Sequence, residues 1–140
     1  MMNSIRKQDI YIIGALVIGF LIFNSFRRGK KSKNPEPPQV TPPGTPEITE
    51  EQAQQVADMM FSTFKKLLSN ESKMLDQLAN YSSSDLVLIW NAFNKYYANV
   101  RLLKLGFNSY GSLGNAFIRE LNQKELQQAR YLFAGTGIHF

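Results

Sequence analysis

Residues 82–100 read SSSDLVLIWNAFNKYYANV, and their periodicity decides the fold class. Leu86, Ile89, Trp90, Phe93, Tyr97 and Val100 fall at i, i+3, i+4, i+7, i+11 and i+14, the repeat of a helix. Val87 and Leu88 are apolar on the other side. A helix apolar on most faces needs cover all round, as the middle of a small bundle does. Ser82-Ser83-Ser84 with Asp85 starts it, because a serine oxygen accepts from first-turn N–H groups that lack a partner inside the helix. Gly106 would close it, with an earlier break near Asn99.

The pattern continues on both sides. Upstream, Thr49 and Gln52 form a capping box, and Ile48 and Ala53 are spaced as a hydrophobic staple. Val56, Met60, Phe64 and Leu67 then share a face, with Met59 and Leu68 beside them, which predicts a helix over residues 50–68. Ser69-Asn70 breaks it, and a short helix over 71–78 presents Met74, Leu75 and Leu78. Downstream, Leu113, Ala116, Phe117 and Leu121 form a stripe ending at Asn122. Asn122 and Glu125 make another capping box, followed by Leu126, Ala129 and Phe133, with Gly135 as the stop. Ile138, His139 and Phe140 form a short apolar tail. No period-two alternation occurs in residues 48–140. The expectation is an all-α bundle of four to five short helices.

The first third of the chain is of another kind. Residues 10–26, IYIIGALVIGFLIFNSF, contain no charge, and Arg27 and Arg28 follow at once. At about 1.5 Å per residue they reach about 25 Å as a helix, the short end of a membrane span. A cleaved signal peptide would need small residues before a cleavage site. Here Arg27, Arg28, Lys30, Lys31 and Lys33 crowd the exit, as in a stop-transfer sequence. A buried core helix would have nothing to pack against in the basic, proline-rich sequence that follows. The reading is a single-pass anchor after a polar lead, residues 1–9. Ile10, Tyr11, Leu16, Phe20 and Phe23 would contact lipid tails, and the five basic residues would meet anionic headgroups. The basic excess after the span puts the N-terminus outside and the C-terminal body on the cytoplasmic or interior side. Ala15 and Gly19 are a small-xxx-small pair that would let two such helices approach.

All six prolines lie between Pro35 and Pro46. Proline fixes φ and lacks an N–H, so this stretch is neither helix nor central strand. Residues 27–47 read as a basic juxtamembrane segment and an extended proline-rich stalk. At about 3.1 Å per residue the stalk would span roughly 35 Å. Residues 48–140 form the helical domain.

Charge divides at the same place. The chain carries 16 Lys/Arg and 11 Asp/Glu, net +5. Residues 1–33 hold seven basic residues and one acidic, +6, and the rest hold nine and ten, −1, which together give the +5. The high pI therefore belongs to the membrane-proximal segment, whose charges favour anionic lipid. A nucleic-acid partner is not expected, because the body offers no evident basic face. There are no cysteines, which excludes disulfides, thiolate zinc sites and cysteine nucleophiles. The lone histidine, His139, has no second histidine nearby for a metal site or a triad.

One segment has a family resemblance. Tyr110-Gly111, Leu113 and then Glu120-Leu121 resemble the annexin repeat, where an aromatic-Gly pair precedes a leucine and a Glu-Leu pair. Ser84-Asp85-Leu86 stands roughly where that repeat starts a helix. The resemblance covers at most residues 75–135, in one copy. It implies five short helices and a calcium-binding role for Glu120. The family's Gly-rich loop of carbonyl ligands is replaced here by Asn80-Tyr81-Ser82-Ser83-Ser84, which has no glycine, and calcium wants several oxygen ligands.

No catalytic constellation is evident. Glu71, Asp76, Asp85, Glu120 and Glu125 form no obvious pair, and several suit helix caps and first turns. No P-loop is present, and no cofactor is implied. The expected function is that of a membrane-anchored structural or interaction protein, presenting its helical module to partners in a membrane-associated complex or lipid-containing viral shell. Phe107, Tyr110, Ile138 and Phe140 are the candidate partner contacts, and homo-oligomers are compatible with the layout. Two other classes compete. A holin-like pore former would use Ala15 and Gly19 to multimerise. A wall-degrading enzyme would need an essential carboxylate, with Glu71 and Glu120 the first candidates.

Overall fold

The computed structural model describes residues 35–66, 68–102 and 109–140. The expected span, its Ala15/Gly19 pair, its lipid-facing residues and the basic flank lie outside these residues. So do Leu67, Gly106 and Phe107. Among the described residues there are five α-helices and no strand: α1 (Glu50–Lys65), α2 (Glu71–Leu78), α3 (Ser83–Tyr97), α4 (Leu113–Glu120) and α5 (Gln123–Phe133), with a 3-10 turn over Ala134–Thr136. No helix among them is long and apolar enough to cross a membrane.

Each helix starts where a polar side chain can take its free N–H groups. The Thr49 hydroxyl accepts from the Gln52 amide at 3.2 Å while Gln52 accepts from the Thr49 amide at 2.9 Å. Ser82 and Asp85 repeat the exchange on α3, and Asn122 and Glu125 on α5. Asn70 and Ser112 cap α2 and α4.

Helix α3 is the axis of the bundle, and α1 lies along it more extensively than any other pair of elements meets. Leu86, Val87, Ile89, Trp90, Phe93 and Tyr97 are buried in one continuous core with Val56, Met60, Phe61 and Phe64 of α1. Phe61 stacks on Tyr97 at 4.3 Å between ring centroids. Phe64 sits edge-on to Phe93, Tyr110 and Phe117, each at 6.0 Å, arrangements that add to plain area burial. Met74, Leu75 and Leu78 of α2 join the same core, as do Leu113, Ala116 and Phe117 of α4 and Ala129 and Phe133 of α5, and α2 packs against α5.

Three expectations are corrected. First, α1 stops at Lys65, so Leu68 lies in the connection and is 98% exposed. Within the last turn the Thr63 hydroxyl donates to the Met59 carbonyl at 2.9 Å, a bond that competes with the helix ladder. Second, the left-handed residue after α5 is Gly137, with φ +80°, while Gly135 lies within the 3-10 turn. Thr136 supplies the local bonds there: its hydroxyl donates to the Phe133 carbonyl at 2.6 Å and accepts from the Ile138 amide at 3.0 Å. Third, the tail is core. Ile138 is buried, and the Phe140 ring lies 5.6 Å from Trp90, 5.2 Å from Phe117 and 5.8 Å from Phe133. Gly114 leaves the room: a Cβ there would stand 2.8 Å from that of Phe140 and 3.1 Å from Trp90 Cη2.

Candidate functional site

The described part of the proline-rich segment is not a free stalk. Residues 35–48 form a strap running along α3 in the opposite direction, held by side chains of α3 and of Asn99 just beyond it. At one end the Asn99 amide donates to the Pro35 carbonyl at 3.3 Å. In the middle Asn91 both accepts from the Val40 amide, at 2.8 Å, and donates to the Val40 carbonyl, at 2.7 Å. Near the start of α3 the Ser84 hydroxyl accepts from the Gly44 amide at 2.9 Å. Asp85 Oδ1 accepts from the amides of Glu47 and Ile48 at 2.7 and 3.1 Å. The side chains of Val40 and Ile48 pack against the core.

Proline chemistry accounts for the arrangement. A segment interrupted by six prolines cannot pair its own N–H and C=O groups in a helix, so its donors need acceptors from elsewhere. Eight residues of the strap keep an N–H: Glu36, Gln39, Val40, Thr41, Gly44, Thr45, Glu47 and Ile48. Four of these, Val40, Gly44, Glu47 and Ile48, are taken by α3. A side-chain amide carries both a donor and an acceptor, so Asn91 can pair with one residue's backbone as a neighbouring strand would. Asp85 has two tasks. Its second oxygen accepts from the Ser82 amide at 3.3 Å, closing the α3 cap, while Oδ1 fixes the strap where it runs into the Thr49 cap of α1.

Beside the strap lies an open cleft of about 280 Å³, lined by Gln39, Gln54, Leu88, Asn91, Lys95 and Tyr96, with Glu50 and Glu51 at the start of α1. This is just under the roughly 300 Å³ at which small-molecule pockets begin. Polar and apolar side chains share its lining, and it is open to solvent.

The residues singled out by sequence fall differently. Of the partner candidates, Tyr110 is buried, Ile138 is buried and Phe140 is packed against the core, so none of these three is an exposed contact. Local spacing does not disclose their burial, because their partners, Trp90 and Phe64 among them, lie far away in sequence. The large apolar side chains that are exposed among the described residues are Leu68, Ile118 and Tyr131. The Glu120 carboxylate accepts from the Tyr110 hydroxyl at 2.9 Å. Burial first, and that bond second, push the Tyr110 hydroxyl far above its ordinary value. Glu71 accepts from the Ser69 hydroxyl beside the start of α2. Among the described residues, no three His, Cys, Asp or Glu side chains gather as metal ligands would. In the loop compared with calcium-binding carbonyls, the Ser82 and Ser84 hydroxyls already serve the α3 cap and the strap.

Two buried polar contacts were missed by the periodic reading. Asn94 accepts from the Leu113 amide at 2.8 Å and so positions α4, and the buried Asp58 accepts from the Tyr97 hydroxyl. Their signal was present in part. Asparagine inside an apolar helix is a poor helix former and implies a partner outside the helix.

No protein-family model, curated protein or solved structure matches the chain.

Proposed function

We propose that this chain is a membrane-anchored interaction protein whose helical module is held close to the bilayer with the C-terminal end of α3 facing it. The apolar run and its basic exit support the anchor. The observation that carries the orientation is the contact between Asn99 and Pro35, which fixes where the chain joins the module. Eight residues, 27–34, then separate the apolar run from the first docked residue. At about 3.3–3.6 Å each they reach at most about 29 Å. The strap thus shortens the tether and sets the direction from which it arrives. A module so held meets other membrane components at raised local concentration, so each contact can be weak.

The test is flotation of the full chain with lipid vesicles containing anionic lipid, followed by alkaline extraction. The chain should float and resist extraction, and removal of residues 1–26 should leave it at the bottom of the gradient. Extraction of the full chain by alkali would overturn the anchor.

A further inference from the structure

The strap turns one side to α3 and leaves two others bare. Over residues 35–41 its exposure repeats every three positions. Pro37 and Val40 are half-buried, while Pro35, Glu36, Pro38, Gln39 and Thr41 are exposed. That period belongs to the polyproline II helix, which has three residues per turn. The sequence enforces it. Proline holds φ at about −65° at residues 35, 37 and 38, and Glu36 and Pro37 each precede a proline, which keeps them extended. One of the three faces is therefore the seated one, with Val40 packed against the core and bonded to Asn91. A second face carries Pro35, Pro38 and Thr41, and the third carries Glu36 and Gln39.

We infer that the outward face of the strap is a docking site for a protein domain that reads prolines in a groove of aromatic side chains. Pro35 and Pro38 stand one turn apart on that face, about 9 Å at about 3.1 Å per residue, the P-x-x-P spacing such grooves accept. Polyproline II segments suit this recognition because little order remains to be imposed on binding. Here the seat imposes it beforehand: the Asn99 and Asn91 amides hold the carbonyls of Pro35 and Val40, one at each end of the motif. Glu36, exposed on the neighbouring face, calls for a basic residue beside the partner's aromatic groove. The inference names a partner class for the interaction protein proposed above. It needs no bilayer, so loss of the anchor in flotation and loss of docking in titration are separate failures.

The test titrates isolated SH3 and WW domains, chosen with basic residues beside the groove, with the full chain in detergent micelles. Saturable NMR shifts of the groove aromatic resonances are expected in at least one domain. Pro35→Ala/Pro38→Ala, on the face turned away from α3, should abolish them, and Glu36→Lys should weaken binding several-fold. A free peptide of residues 33–42 lacks the seat and should bind several-fold more weakly than the full chain. Hydrogen exchange at the Val40 amide should stay slow in the complex, because the strap is read in place. Absence of saturable shifts in every domain overturns the inference, as does binding that survives the loss of both prolines. A peptide that binds as tightly as the full chain, or a Val40 amide released in the complex, overturns it too, because the motif would then be read only off its seat.

Discussion

The side-chain amide of Asn91 closes a two-bond ring on the backbone of Val40, accepting its N–H at 2.8 Å and donating to its carbonyl at 2.7 Å. Substitution Asn91→Leu keeps the bulk and removes both bonds. Each is worth roughly 1 kcal/mol net, so the variant should lose about 2 kcal/mol in urea unfolding of residues 35–140. Asn91→Asp keeps an acceptor for the amide but loses the donor, and should fall between the two. A loss below about 0.5 kcal/mol for Asn91→Leu would mean that the strap adds nothing to the fold.

Asp85 joins the α3 cap to the end of the strap, and the two tasks can be separated. Ser82→Ala removes the Ser82 side of the cap and should cost about 1 kcal/mol. Asp85→Ala removes the other side of the cap and the acceptor for Glu47 and Ile48, and should cost about 3 kcal/mol by the same denaturation assay. The excess over Ser82→Ala measures the strap, and equal losses would contradict the second task.

Gly114 and Phe140 form a close pair whose effects should not add. Gly114→Ala brings a Cβ to 2.8 Å from that of Phe140, which must move out of its place against Trp90 and Phe117. Better helix propensity returns only about 1 kcal/mol. Gly114→Ala should therefore lower the melting temperature and shift Trp90 fluorescence toward that of Phe140→Ala. In the Gly114→Ala/Phe140→Ala double variant the added Cβ has space, so the loss should be less than the sum of the two singles. Simple additivity would show that the tail does not pack there.

Tyr110 gives a prediction in pH. Its hydroxyl is raised in the folded state by burial and by Glu120, while in the unfolded chain it titrates near 10. A raised folded value means that stability is fully present below the unfolded value. Above about pH 10 the unfolded chain loses a proton that the folded one keeps, so stability should fall by about 1.4 kcal/mol per pH unit from this group. Tyr110→Phe should remove that increment of slope at a cost near 1 kcal/mol at neutral pH. Denaturation of both proteins between about pH 8 and 11 provides the check, and identical slopes would contradict it.

What the sequence discloses here is what is local. The caps at Thr49, Ser82 and Asn122 pair residues three apart, and the stripes of α1, α3 and α5 repeat within a single helix, so both are legible from spacing alone. The strap is not. Six prolines say only that residues 35–46 cannot bond to themselves, and the acceptors that take their amides stand some 40 to 50 residues away on α3. The tail fails to show itself for the same reason. Ile138 and Phe140 look like surplus apolar residues until Gly114, a gap in α4 with no apolar signature, gives Phe140 a place against Trp90. The glycine stop stands at Gly137, two residues beyond Gly135, where Thr136 bonds both to Phe133 and to Ile138.

The most direct measurement is the hydrogen-exchange rate of the Val40 amide in the unaltered full chain. A docked strap holds that amide on Asn91, so it should exchange far more slowly than in an unstructured peptide, and Asn91→Leu should release it. Exchange of the unaltered chain at the unstructured rate would show that residues 35–40 leave α3 free, and the strap would then be the stalk that its prolines first suggest.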